Sequence, residues 1–273
     1  MKVSERSFGA LISPYDIRDY KLAACATVQE FPETFVLPEV SVKDQGSTGS
    51  CVAHACSTII EYFNKKQEET DAVFSTEFIY GYRPDGYYVG SGMYLRDALK
   101  TIQKLGDCPL ASLKGNHEFE EAMAIVEAAL EDLKPEAYPH RISTYARVYT
   151  VDEIKQALMN HGYVLVSMPW HADYKLVNGI YTFTSDTTRG YHAVVIYGWN
   201  ENGWLVHNSW GKSWGQKGKF VVPFDFKWTE SWLVTDNITS KDEDIIKPEE
   251  NNWFIKIFGK IINFIVNLFK KKQ

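Results

Sequence analysis

Residues 45–51 read "QGSTGSC", and the next residue opens "VAHACSTIIEYF" (52–63), so a glycine-rich turn ends on a cysteine where a helix begins. Val52, Ala55, Cys56, Ile59, Ile60 and Phe63 recur at the three-and-four spacing of one helix face, which predicts a helix over about 51–66. A helix start carries partial positive charge and unpaired N–H groups, so the Cys51 thiol is expected to ionise more readily than an ordinary one. Gly46 and Gly49 let the approach bend and let another backbone come close. Gln45 supplies a side-chain amide that, with the Cys51 backbone N–H, would give two donors to a developing oxyanion.

A thiolate nucleophile needs a proton shuttle, and the shuttle needs a group to orient it. His192 stands at the head of the apolar run "YHAVVIYGW" (191–199), and Asn208 lies in "HNSWGKSWG" (207–215). Asn200, Glu201, Asn202 and Gly203 between them read as a hairpin turn, and two antiparallel strands so joined can set His192 and Asn208 side by side. Cys51 then attacks, His192 moves the proton, Asn208 fixes the ring and Gln45 holds the charge. Cys56 belongs to the apolar stripe and is expected to pack. His54 shares the face of Cys51 but has no second ligand pair near it, so it is expected to fill core or cleft wall. His207, next to Asn208 on a strand, points the other way.

The rest of the chain divides into a helical half and a β half. Helices are expected at 75–83, at 93–106 stopping on Gly106, at 117–133 ended by Pro135, and at 151–162. Strands are expected at 163–169, 179–183, 191–200, 203–210 and 218–224. The class is α+β in two lobes. Residues 1–34, with Pro14 and Pro32, are expected to form an extended arm lying on a domain of residues 35–235.

Bulk composition excludes several functions. The chain has 273 residues, 45% hydrophobic, and a net charge of −6, which argues against nucleic acid as a partner. Five of the 29 basic residues (Lys256, Lys260, Lys270, Lys271, Lys272) fall in 251–273 with no acid, leaving 24 against 35 acids before it. Residues 236–250 read as an acidic linker. In 251–273 a narrow polar stripe (Lys256, Lys260, Asn263, Asn267, Lys270) predicts an amphipathic helix suited to a membrane surface. Four cysteines (Cys25, Cys51, Cys56, Cys108) without a CxxC pair suggest neither a disulfide framework nor zinc. No cofactor and no metal are expected, the N-terminus lacks the apolar core of a secretory signal, and a cytoplasmic monomer is expected.

The blocks "VKDQGSTGSCVAHA", "YHAVVIYGW" and "LVHNSWGKSWGQKGKFVV" resemble the three signature blocks of papain-like cysteine peptidases. His192 follows Cys51 by 141 residues and Asn208 by 157. The resemblance implies a papain-like two-lobed fold, with a helical left lobe, an antiparallel β-barrel-like right lobe and a peptide substrate between them. It also implies that Trp210 shields the Asn208 to His192 hydrogen bond. Gly49, Ser50, Gly92 and Tyr191 would line the substrate site, with Gly92 pairing the substrate backbone. Thr48 stands where the family usually has a disulfide cysteine, Val52 where it has Trp, and Tyr191 where it has an acid or Asn. Fewer than 45 residues precede Gln45, too few for the folded pro-domain of secreted members. The same residues on the same fold would also suit acyl or amide transfer, or a membrane-held module that only binds peptides.

Overall fold

A computed structural model describes residues 6–17, 19, 30–68, 70–83 and 90–236. The expected linker beyond Asp236 and the expected amphipathic helix lie outside the described residues, as does Cys25. No helix among the described residues is long and apolar enough to cross a membrane.

In chain order the elements are β1 (Ala10–Leu11), β2 (Phe35–Val36), α1 (Cys51–Glu68), α2 (Thr76–Gly81), β3 (Met93–Tyr94), α3 (Leu95–Lys104) and α4 (Phe119–Ala137). After a 3-10 turn at Tyr138–His140 come β4 (Ile142–Arg147), α5 (Val151–Asn160), β5 (Val164–His171), β6 (Lys175–Val177) and β7 (Ile180–Thr182). The chain then forms β8 (Thr188–Asn200), β9 (Gly203–His207), β10 (Lys219–Val222) and β11 (Glu230–Asp236). Local chemistry explains the starts. Ser75 caps α2 by accepting from the Phe78 N–H at 3.3 Å, and Thr150 with Glu153 forms a reciprocal capping box on α5.

Pro135 does not end its helix, contrary to expectation: α4 continues to Ala137. In the last turn a proline removes only one backbone bond, and the 3-10 turn that follows takes over the chain.

The strands form a mixed, mostly antiparallel sheet in the order β4-β11-β5-β8-β9-β10-β7-β6, with β2 added alongside β8. That order runs from β4 at one edge to β6 at the other. β8 is its longest strand and serves two cores. Ala193, Val195 and Tyr197 pack with α1 on one face; Val194, Ile196 and Trp199 join the aromatic core of the sheet on the other. The chain is therefore α+β in two lobes that meet along β8 and α1. α1 is buried from Cys51 to Asn64 on every side, not along one stripe, because it lies between the other helices and the sheet. Its one buried carboxylate, Glu61, is met by Lys43 at 2.6 Å and by the Phe74 N–H at 3.0 Å.

Candidate active site

The loop before α1 is held by its own polar residues. Thr48 Oγ1 donates to the Gln45 carbonyl at 2.7 Å and lies 2.6 Å from Ser50 Oγ, so a hydroxyl network stands where the family's disulfide would be. The Ser50 hydroxyl lies 3.2 Å from His54 Nδ1. His54 is buried, and burial pulls its imidazole down to about 3, in keeping with a wall residue.

Cys51 opens α1 against β8, where its sulfur meets the backbone N–H of Ala193, the residue after His192. The hairpin β8–β9 brings the other pair together. His192 Nε2 donates to Asn208 Oδ1 at 2.7 Å, and the Ser209 N–H donates to the same oxygen at 2.8 Å. That bond fixes the tautomer and leaves His192 Nδ1, which has no partner among the described residues, as the ring's proton acceptor. Trp210 lies 4.8 Å from the imidazole, centroid to centroid, and is fully buried over it. Gln45 is oriented from the same segment: Ser209 Oγ donates to its Oε1 at 2.7 Å.

The amide of Gln45 has a second partner that sequence reasoning missed. Its Nε2 donates to the Thr48 carbonyl at 2.9 Å and to the carbonyl of Ser7, in the N-terminal arm, at 3.2 Å. The Gly9 N–H reaches the Cys51 sulfur, and the Gly9 carbonyl accepts from the Met93 N–H at 2.7 Å. β1 then pairs in parallel with β3, Ala10 beside Met93 and Leu11 beside Tyr94. Gly9 passes so close to the Gly49 carbonyl that a side-chain carbon on it would lie 1.7 Å from that oxygen. The arm expected to lie on the domain thus runs through the cleft.

That placement overturns the expected acidity of Cys51. The arm seals the site, and Cys51, His192 and Gln45 are 0% exposed. Burial pushes the Cys51 thiol up despite the N–H groups around it, and pulls His192 down to about 4 despite its bond to Asn208. With the arm seated, burial favours the neutral form of both thiol and imidazole.

Gly92 and Gly49 therefore line the arm's path as they would line a substrate's, while Tyr191 is half-buried and packs toward the α1 core. Trp170 was not singled out, because β5 was expected to end at 169; the strand runs on to His171 and carries Trp170 within 5.4 Å of the His192 ring. At the cleft's end Arg6 is paired with Asp44. Partial burial works against the Asp44 carboxylate, but the Arg6 guanidinium and the Gly46 N–H hold it below the usual carboxylate range. Among the described residues no cluster of His, Cys, Asp or Glu is arranged to hold a metal ion.

The chain is similar to known proteins. The chain is 28% identical over 254 residues to an uncharacterised peptidase C1-like protein of Acanthamoeba polyphaga mimivirus, covering 81% of this chain and 79% of that one. A shorter stretch of 78 residues is 41% identical to a cathepsin B-like cysteine proteinase of Haemonchus contortus, covering 27% of this chain and 23% of that protein. In fold, it is similar to xylellain, a cysteine protease from Xylella fastidiosa, with a TM-score of 0.74 at 22% identity over 85% of this chain and 97% of that one. A family model described as papain family cysteine protease matches residues 37–227, and the chain belongs to that family.

Proposed function

We propose that the protein hydrolyses peptide bonds through Cys51, His192, Asn208 and Gln45 by way of an acyl-enzyme. One observation carries this reading: a peptide backbone already lies across the nucleophile, its Ser7 carbonyl taking the Gln45 amide N–H at 3.2 Å and its Gly9 N–H meeting the Cys51 sulfur. A substrate seated there presents a carbonyl to the same donors.

The steps follow from the atoms present. His192 Nδ1 takes the Cys51 proton, and the sulfur attacks the scissile carbonyl carbon. Charge gathers on the oxygen between the Gln45 amide and the Cys51 N–H. As the intermediate collapses the C–N bond breaks, His192 returns the proton to the leaving amine, and a thioester remains on Cys51. Water then attacks the thioester, giving its proton to His192, and the acid departs as the thiol reforms. Asn208 acts through His192 by holding Nε2, and Trp210 keeps water from that bond.

Cleavage of a peptide library tests this in chains whose arm is displaced by Gly9→Val, with and without Cys51→Ala, together with iodoacetamide labelling followed by mass spectrometry. Hydrolysis that depends on Cys51, with Cys51 labelled ahead of the buried Cys56 and Cys108, supports it. Hydrolysis that survives Cys51→Ala sinks it.

A further inference from the structure

The arm is gripped differently on the two sides of Cys51. Beyond Gly9 it pairs by backbone with Met93 and Tyr94 and buries Ala10 in the α1 core, and further along Ser13 N–H meets Glu230 and Asp19 pairs with Arg96. Before Gly9 it is held by the Ser7 carbonyl, which accepts from Gln45 Nε2, and by two side chains. The Arg6 guanidinium pairs with Asp44, donates to the carbonyls of Gly46 and Trp210, both at 3.1 Å, and lies 6.0 Å from the Trp210 ring centre. The Phe8 ring sits 6.1 Å from each of Trp170, His192 and Trp210, and Gly190 approaches it so closely that a side-chain carbon there would lie 2.8 Å from Phe8 Cβ.

Both seats belong to the cleft. Trp170 is on β5, Gly190 on β8, Trp210 follows β9, and Asp44 precedes the loop to Cys51. Trp170 and Trp210 are fully buried and 4.5 Å apart, so the aromatic seat is a built wall. The cation seat is one carboxylate and two carbonyls, a set that a planar guanidinium fills at several points and an ammonium does not. The arm competes from within the same chain, at an effective concentration of about millimolar. A peptide offering only its backbone loses to it; one that fills both seats does not.

We propose that the Trp210 side of the cleft is a two-point recognition site for peptides carrying a guanidinium and a bulky aromatic side chain two residues apart, with Arg6 and Phe8 as its resident occupants. This names the substrate class of the site and rests on the peptidase reading for hydrolysis, but not for binding. Trp170 is the specificity-determining residue of the aromatic seat, and Asp44 of the cation seat.

The test uses the full chain carrying Phe8→Ala and follows Cys51 alkylation by iodoacetamide. Labelling is expected to rise about tenfold over wild type, the effect of losing one half-buried ring. The soluble peptide RSFGAL then protects Cys51, and ASFGAL, KSFGAL and RSAGAL each need roughly tenfold more peptide to protect equally. Trp170→Ala in the same background erases the difference between RSFGAL and RSAGAL; Asp44→Asn erases that between RSFGAL and ASFGAL. Equal protection by all four peptides overturns the proposal, as does labelling no faster than wild type. Labelling of Cys56 and Cys108 in step with Cys51 marks an unfolded variant, and Arg6→Ala then takes its place with the same peptides and the same deciding outcomes. The protection pattern without cleavage of any peptide upholds the site and removes the hydrolase; cleavage without preference upholds the hydrolase and removes the site.

Discussion

On the Met93 side of Cys51 the cleft meets its occupant with backbone, one N–H to the Gly9 carbonyl and a two-residue parallel pairing. On the Trp210 side it meets Arg6 and Phe8 with a carboxylate, two carbonyls and two indoles. Backbone pairing is nearly indifferent to sequence, whereas a buried aromatic wall and a fixed cation seat are not. Affinity in this cleft is shared between the sides, and the two-point proposal places the choice of a cation and an aromatic ring on the Trp210 side. Gln45 stands on the boundary, with its amide on the Ser7 carbonyl.

The largest effect is expected at that boundary. In the Phe8→Ala background, Gln45→Ala removes one donor to the developing oxyanion and lowers kcat/KM by about 10²–10³ with any peptide, measured by steady-state hydrolysis. A loss confined to one peptide class would instead make Gln45 a recognition residue. Gly9→Val comes next. A side-chain carbon there meets the Gly49 carbonyl at 1.7 Å, so the arm leaves on both sides at once, and Cys51 labelling rises by roughly tenfold or more. A rate no higher than that of Phe8→Ala alone would mean that the Met93 side contributes nothing.

Acidity separates the states by a signed shift. Burial pushes Cys51 up, although the arm's Gly9 N–H works the other way on the sulfur, and pulls His192 down to about 4. Admitting water through Phe8→Ala lowers the thiol and raises the imidazole. The pH at which Cys51 alkylation is half-maximal therefore moves to lower pH than in wild type, and a shift to higher pH would contradict the assignment. The smallest effect is expected at Ile12, which follows β1 and is 47% exposed. Ile12→Ser should change Cys51 labelling less than about twofold, because the arm is held there by its backbone.

How far the sequence was legible depended on whether the relevant contacts were local. The start of α1 and the β8–β9 turn are written within a few residues, and both were read; the Thr150–Glu153 box on α5 is as local but was not singled out. His192 and Asn208 were readable as a pair because one hairpin joins them. The short β1 and β3, and the edge partners β4 and β11, were not: two-residue strands carry no alternation, and the partners are far apart in the chain. Phe8 and Trp170 are ordinary aromatics in sequence, and only the fold puts them 6.1 Å apart beside His192. Cys51 was misjudged for a related reason. The helix start favours the thiolate, but the tertiary packing that buries Cys51 opposes it and is not written in the residues around it.

The most direct measurement compares peptide-library hydrolysis by the full-length Phe8→Ala chain with that by Phe8→Ala/Cys51→Ala. Cleavage is expected in the first and none in the second, with products enriched for an arginine and an aromatic residue two positions apart. Equal cleavage by both chains, or none by either, would contradict a cysteine peptidase whose nucleophile lies beneath its own N-terminal arm.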